Sequence, residues 1–195
     1  RLLLSASDLA IVEYQVQLGG QYPELSGRTL LFFSDLHWPT TIIDLQRRCR
    51  DIWQYGRPDW VVFGGDLATY ACDLAAAFAF LGDLPRPIFP PALAVYGNWD
   101  RRRRWFPNSE LRARFDTAGF QLLVNESYDC GEISFIGLDE PRTGFPSPVI
   151  SRKQFNREYF ASQKRFKCLI SHCIEPVLEL PAIPDFNLAL CGHSH

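Results

Sequence analysis

All four histidines of this chain stand just behind short apolar runs, and that placement constrains the fold more than any other feature of the sequence. His37 follows Thr29 to Ser34, His172 follows Phe166 to Ile170, and His193 and His195 follow Leu188 to Cys191. Runs of this length that break at polar residues read as buried strands. Two more end in polar clusters without histidine: Trp60 to Phe63 leads into Gly64-Gly65-Asp66-Leu67, and Ala92 to Tyr96 into Gly97-Asn98-Trp99-Asp100. The remaining strand ends read Ser34-Asp35-Leu36-His37, Ser171-His172-Cys173 and Gly192-His193-Ser194-His195. In open α/β sheets, loops at the carboxyl ends of the strands converge on one ligand cleft, so these clusters are expected to face one another.

Between the strands the apolar spacing becomes helical. Thr40 or Thr41 can cap a helix that carries Ile42, Leu45, Cys49, Ile52 and Trp53 and stops at Gly56. An alanine-rich helix is expected from about Cys72 to Leu81, and another from Ser109 through Leu111, Phe115 and Ala118 to Gly119. Ile11 to Leu18 alternates like a strand, Phe120 to Val124 and Ile133 to Ile136 are further strands, and Pro85 to Pro91 and Pro141 to Pro148 are loops. Strands alternating with helices indicate an α/β fold with helices covering the sheet faces.

With 195 residues the chain can bury one core without staples. It opens on Arg1 rather than Met and stops one motif after a strand, at His195. The expectation is a single domain over residues 1–195, truncated at its C-terminus and either processed or cut at its N-terminus.

Apolar residues make up 47% and charged residues 22%, which excludes disorder. A formal net charge of −2 gives no global electrostatic case for nucleic acid, and a nuclease would need a longer basic track than Arg101 to Arg104. The longest apolar runs, such as Leu74 to Leu81, are too short to span a bilayer. Six cysteines are scattered without paired spacing, which favours reduced thiols and a cytoplasmic location. Membrane association at the periphery stays open, and oligomeric state is not legible.

The residue types at the five strand ends suit a metal pair. Two divalent ions about 3.5–4 Å apart need a bridging carboxylate, and Asp66 is the natural bridge. Imidazole and carboxylate ligands suit manganese, iron, zinc or cobalt, while the lack of a thiolate set argues against a structural zinc cluster.

In their order along the chain, D-x-H, G-D, G-N-x-D, H and G-H-x-H, these blocks resemble the calcineurin-like metallophosphoesterases, and the match runs from about Thr29 to the last residue. The resemblance implies a four-layer α/β/β/α sandwich with a dinuclear centre at the strand ends. It implies one metal on Asp35, His37, Asp66 and His195 and a second on Asp66, Asn98, His172 and His193, with manganese favoured. It also implies direct attack of a metal-activated water on phosphorus, as a phosphodiesterase or diphosphatase. Leu111 to Asn125 and Gly137-Leu138-Asp139-Glu140 resemble the bacterial, small-enzyme branch.

One position departs from the family. Its usual histidine after Asn98, which contacts phosphate beside the acidic residue Asp100, is Trp99 here. Indole offers one N–H donor and cannot shuttle protons at neutral pH. General-acid help is typically worth about 10²–10⁴ in rate, so its loss weighs most on substrates with poor leaving groups. Similar bacterial UDP-diacylglucosamine diphosphatases of lipid A synthesis carry arginine there, and Arg101 and Arg102 are the candidates to supply a cation to a diphosphate or lipid-linked substrate. Asn98 and Asp100 are the candidate catalytic residues, and Trp99, Arg101 and Arg102 the candidate substrate contacts. Trp38 is expected to pack; Trp105, Phe106 and Phe145 could form an apolar rim. Asp139 and Glu140 are expected in an exposed turn or, alternatively, behind the ligands. A reading from another class is an inactive scaffold that binds a protein partner, with Trp99 as its support.

Overall fold

The computed structural model describes residues 12–38, 56–102, 108–140, 165–179 and 186–194. Eight strands form two four-stranded sheets. The first contains β1 (Leu30–Phe33), β2 (Trp60–Phe63), β3 (Ala92–Ala94) and β4 (Phe120–Leu122), all parallel and in that order. The second contains β5 (Glu126–Cys130), β6 (Ile133–Gly137), β7 (Phe166–Ser171) and β8 (Leu188–Cys191), with β5 antiparallel to β6 and the rest parallel.

Strand alternation explains how each sheet is covered on both faces. Trp60 and Val62 of β2 and Leu93 of β3 pack against Ile133 and Phe135 of β6 and Phe166, Cys168 and Ile170 of β7, so one face of each sheet meets the other. The alternate residues Val61, Phe63, Ala92 and Ala94 point the opposite way, into a cluster with helix α1 (Leu74–Asp83). Leu74, Ala77, Phe78 and Leu81 recur at three- and four-residue spacing and supply the buried stripe of α1. A five-residue helix α2 (Asn98–Arg102) follows β3. Helix α3 (Asn108–Thr117) contributes Leu111 and Phe115, whose ring meets those of Phe78 at 4.9 Å and Phe63 at 6.2 Å. Gly119, at φ 80°, ends this helix in the left-handed conformation that glycine adopts without strain. On the outer face of the second sheet, Ile136 and Leu169 pack with Val177 of helix α4 (Glu175–Glu179). The layers therefore run helix, sheet, sheet, helix.

The expected strands at 29–34, 60–63, 92–96, 120–124, 133–136, 166–170 and 188–191 all form, two with unchanged bounds and the others trimmed or extended by one or two residues. The alanine-rich helix begins with a 3₁₀ turn (Ala71–Asp73), and α3 starts at Asn108 rather than after Ser109. The strand expected over 11–18 is a correction. Its described part, 12–18, pairs with no strand, and Tyr14 is 85% exposed. Alternation alone does not make a strand where no sheet edge supplies the ladder. In the other direction, β5 escaped the sequence reading because its half-exposed Glu-Ser-Tyr-Asp-Cys run has little apolar signal. The helix expected over 42–53 and the loop 141–148 lie outside the described residues. Among the described residues, no helix is long and apolar enough to cross a membrane, and the described cysteines are free thiols.

Asp59 fixes the start of the first sheet. Its carboxylate accepts hydrogen bonds from Thr29 N at 2.8 Å, Thr29 Oγ1 at 3.2 Å and Arg28 Nη1 at 2.8 Å. Burial opposes the charge, but the Thr29 and Arg28 donors outweigh it and hold this carboxyl below its ordinary 3.8. The lowered pKa means stabilisation that is present at neutral pH and lost as pH falls through the folded-state value. The Arg28 side chain is 41% exposed, so most of the effect belongs to the Thr29 donors. Asp59→Asn is expected to lower unfolding free energy by about 1–3 kcal/mol at pH 7. The gap between variant and wild type, read by denaturant titration, should stay flat from about pH 8 to pH 5 and close at lower pH.

Candidate metal centre

The strand ends bring six of the expected ligands together. Asp35 and His37 follow β1, Asp66 follows β2, Asn98 opens α2 after β3, His172 follows β7 and His193 follows β8. Leu36, between Asp35 and His37, and Leu67, just after Asp66, are apolar and buried. The loops after β1 and β2 run side by side beyond the strands: Asp35 N donates to Gly65 O at 2.9 Å, His37 N to Asp66 O at 3.0 Å and Trp38 N to Leu67 O at 3.0 Å. These bonds extend the parallel pairing to Trp38, which bridges Ala68 and packs its ring on Phe80 at 5.3 Å, the packing role expected for it.

The backbone at the site is strained in a consistent way. Asp35, His37, Asp66 and His193 have φ values of 57°, 43°, 61° and 69°. A left-handed conformation costs a non-glycine residue roughly 1–2 kcal/mol, and such residues persist where the surroundings over-determine them, commonly at functional sites. Gly97 shows the same crowding, because a Cβ there would collide with the carboxylate of Asp66.

His172 Nε2 is the meeting point. It lies 3.0 Å from Asn98 Oδ1, 3.2 Å from His193 Nδ1, 3.4 Å from Asp66 Oδ2 and 4.0 Å from Asp35 Oδ1. Its other ring nitrogen, Nδ1, donates to Gly64 O at 2.8 Å. A carbonyl can only accept, so this bond places a proton on Nδ1 and makes Nε2 the nitrogen that could ligate a metal once it gives up its own proton. His37 Nε2 stands 3.6 Å from Asp66 Oδ2 and 4.0 Å from Asp35 Oδ1. The second oxygen of Asp35 accepts from Ser34 Oγ and from His193 N, the latter at 3.0 Å.

The donor set fits divalent cations. Nitrogen and oxygen ligands at about 2.0–2.2 Å from one ion lie about 3.0–3.6 Å from each other, and the separations around His172 and His37 cover that range. The electrostatics agree. Burial disfavours a charged His172, yet Asp66, the Gly64 carbonyl and Asp35 overcome it and push the imidazole up to about 9. The same two carboxylates would act on a divalent ion, since Coulomb energy scales with charge. Two ligand groups stand out by proximity: Asp35, His37 and Asp66, and His172, Cys173 and His193, with the ligand atoms of each group within 4.8 Å of one another. Cys173 in the second group is a residue the strand-end pattern passed over.

Trp99 and Asp100 have separate roles in the geometry. Trp99 N donates to Asp66 Oδ1 at 2.7 Å, and its ring stands edge-to-face to His37 with centroids 5.9 Å apart. Asp100 lies behind the cleft, 4% exposed, and accepts from the backbone N–H groups of Asp66 at 2.9 Å, Leu67 at 2.9 Å and Gly97 at 2.8 Å. Burial and then the charge of Asp66 push its carboxyl up to about 6 against those three donors. It clamps the loops after β2 and β3 together. Asp139 and Glu140, expected in an exposed turn, are instead buried at 6% and 3%; Asn125 Oδ1 accepts from Asp139 N at 2.8 Å and fixes the loop inward. His195 and the side chains of Arg101 and Arg102 lie outside the described residues, as do Trp105, Phe106 and Phe145.

The Asp100 clamp has a direct test. Asp100→Asn puts an amide NH₂ against backbone donors, so it should cost about 1–3 kcal/mol in denaturant unfolding. Displacing Asp66 should also weaken metal binding by about 10–100-fold in equilibrium dialysis. Unchanged metal affinity would show that the clamp does not position the ligands.

Comparison with known proteins sets this geometry in a family. No curated protein matches the chain. Among solved structures, the chain is similar to a phosphopantetheinyl hydrolase from Mycobacterium tuberculosis at 13% identity and TM-score 0.47, covering 86% of this chain and 83% of that one. It is also similar to a protein of unknown function from Aquifex aeolicus at 14% identity and TM-score 0.38, covering 84% and 88%. Neither likeness is close enough to carry an argument about substrate. The calcineurin-like phosphoesterase family, by contrast, matches residues 28–195, a span that takes in all the strand-end clusters described above. The chain belongs to the calcineurin-like phosphoesterase family.

Proposed function

We propose that this protein is a metal-dependent phosphoester hydrolase that cleaves phosphodiester or diphosphate bonds. The observation that carries the reading is the convergence of Asp35, His37, Asp66, Asn98, His172 and His193 from both sheets on one space a few ångströms across. Asp35, His37 and Asp66 would hold one ion, with His195 as a further ligand, and Asp66, Asn98, His172 and His193 the other. When bound, a divalent pair supplies an acidified water as nucleophile and neutralises charge growing on the phosphoryl oxygens.

The chain's own residues do the rest. Asp66 Oδ2 lies nearer than Asp35 Oδ1 to both His37 and His172, at 3.6 and 3.4 Å against 4.0 Å to each, so among the described residues the Asp66 carboxylate is the candidate bridge. His172 is kept in the ligating tautomer by Gly64 O. Asn98 Oδ1 sits 3.0 Å from His172 Nε2, where an uncharged amide completes the shell without adding negative charge. Trp99 stands over His37 and offers no proton to a leaving group at neutral pH. That favours substrates whose leaving group departs without protonation, such as aryl diesters and diphosphates. The buried position of Asp100 behind the loops makes it a positioning residue rather than an acid that meets substrate.

The test compares bis-p-nitrophenyl phosphate with p-nitrophenyl phosphate, with and without Mn²⁺. The expected result is metal-dependent cleavage that favours the diester and falls at least about 10²-fold in His172→Ala, since even removal of a ligand's supporting partner costs 10–100-fold. Full activity in chelator, or an unaffected His172→Ala, would overturn the reading. An inactive protein that still binds two metal ions would point to a narrower substrate requirement set by Trp99, and an inactive protein that binds none would favour the scaffold alternative.

A further inference from the structure

We propose that Cys173 is a further metal ligand, which supplies a thiolate to the ion shared by His172 and His193 and biases that position towards zinc or cobalt over manganese. The inference rests on the metal-centre reading above and refines it. Three observations support it. Cys173 follows His172 directly and is 1% exposed, so its thiol is packed into the site wall rather than turned to solvent. Its Sγ and one ring nitrogen from each of His172 and His193 lie within 4.8 Å of one another. Its thiol donates to Glu140 Oε1 at 3.4 Å, and Glu140 is itself 3% exposed, so the sulfur is held in place from the protein side.

The distances leave a small step to coordination. With sulfur at about 2.3 Å and nitrogen at about 2.0–2.1 Å from one ion, the ligand atoms are about 3.1–3.5 Å apart, so an adjustment of up to about 1.7 Å brings Sγ in. The Glu140 contact places the acceptor beside the sulfur. On coordination the S–H bond would break, the sulfur would keep the electron pair for the ion, and the proton would pass to Glu140, its hydrogen-bond acceptor. The bound ion thereby gains one unit of negative ligand charge.

The other thiols show that position matters. Cys168 lies between the sheets at 0% exposure, where burial alone drives its thiol far up and keeps it a packing group. Cys191 sits at the end of β8, and burial followed by the charge of Glu175 pushes its thiol up as well. Cys173 stands apart in sharing a ligand-sized space with two imidazoles. Soft thiolate ligands favour zinc and its neighbours, while carboxylate and water suit manganese, so the two ion positions would differ in preference.

The experiment loads the full chain with Co²⁺ and records its absorption. The expected result is a near-ultraviolet sulfur-to-cobalt charge-transfer band beside the visible d–d bands. That band should be kept in Cys191→Ser and lost in Cys173→Ser, whose d–d bands remain. Cys173→Ser should also lose preference for Zn²⁺ over Mn²⁺ by on the order of tenfold in competition dialysis. Cobalt bound without the band, or a band that survives in Cys173→Ser, would overturn the proposal while leaving the metal centre intact. Should Cys173→Ser not fold, X-ray absorption on the zinc-loaded wild type decides: a sulfur scatterer at about 2.3 Å supports the proposal and a shell of nitrogen and oxygen alone overturns it. A wild type that binds no cobalt at all would overturn the metal-centre reading and this inference together.

Discussion

The Asp66 carboxylate is the contact on which the rest of the site depends. It comes from the first sheet, yet its Oδ2 lies 3.4 Å from His172 Nε2 of the second sheet and 3.6 Å from His37 Nε2 of its own. Its backbone is held by Asp100, its neighbour Leu67 is locked in the core, and its Oδ1 accepts from Trp99 N. The sheets must therefore pack in one register for the ligands to meet. The interface of Val62, Leu93 and Val95 against Phe135, Cys168 and Ile170 supplies that register, and close packing of this kind transmits small shifts rather than absorbing them. A cavity opened between the sheets would thus be felt as misplaced ligands as well as lost stability.

Strain and charge at the site share one explanation. Four of the ligand residues hold left-handed backbone, and two carboxylates, Asp35 and Asp66, face the same imidazole. Both features are costly in a folded chain without a compensating partner. The paired loops after β1 and β2 hold the backbone, and the Asp66 and Asp35 carboxylates raise the proton affinity of His172. A divalent ion placed among these ligands relieves the carboxylate repulsion more fully, because it brings twice the charge.

Much of this was legible in the sequence. Strands buried on both faces read as continuous apolar runs, and the polar residues that end them have no structural reason to be aspartate and histidine so consistently. That is why Asp35, His37, Asp66, Asn98, His172 and His193 could be expected in advance to meet at the strand ends. What could not be read was whatever depends on direction in space. Gly64 orients His172 through its carbonyl, 108 residues away along the chain, and no residue type announces that. Cys173 looked like one more buried thiol until its neighbours in space were known. Asp139 and Glu140 read as a polar turn, but Asn125 pins their loop inward. The alternation over 12–18 was the opposite case, a strand pattern that pairs with no strand among the described residues.

The central claim, that Asp66 bridges two ions, is tested most directly by metal stoichiometry and affinity in single-ligand variants. Wild type should bind about two equivalents of Mn²⁺ or Zn²⁺. His37→Ala should lose one of them and keep the other, whereas Asp66→Asn should lose tight binding at both positions. An Asp66→Asn protein that binds two ions as tightly as wild type, or a wild type that binds none, would contradict the account.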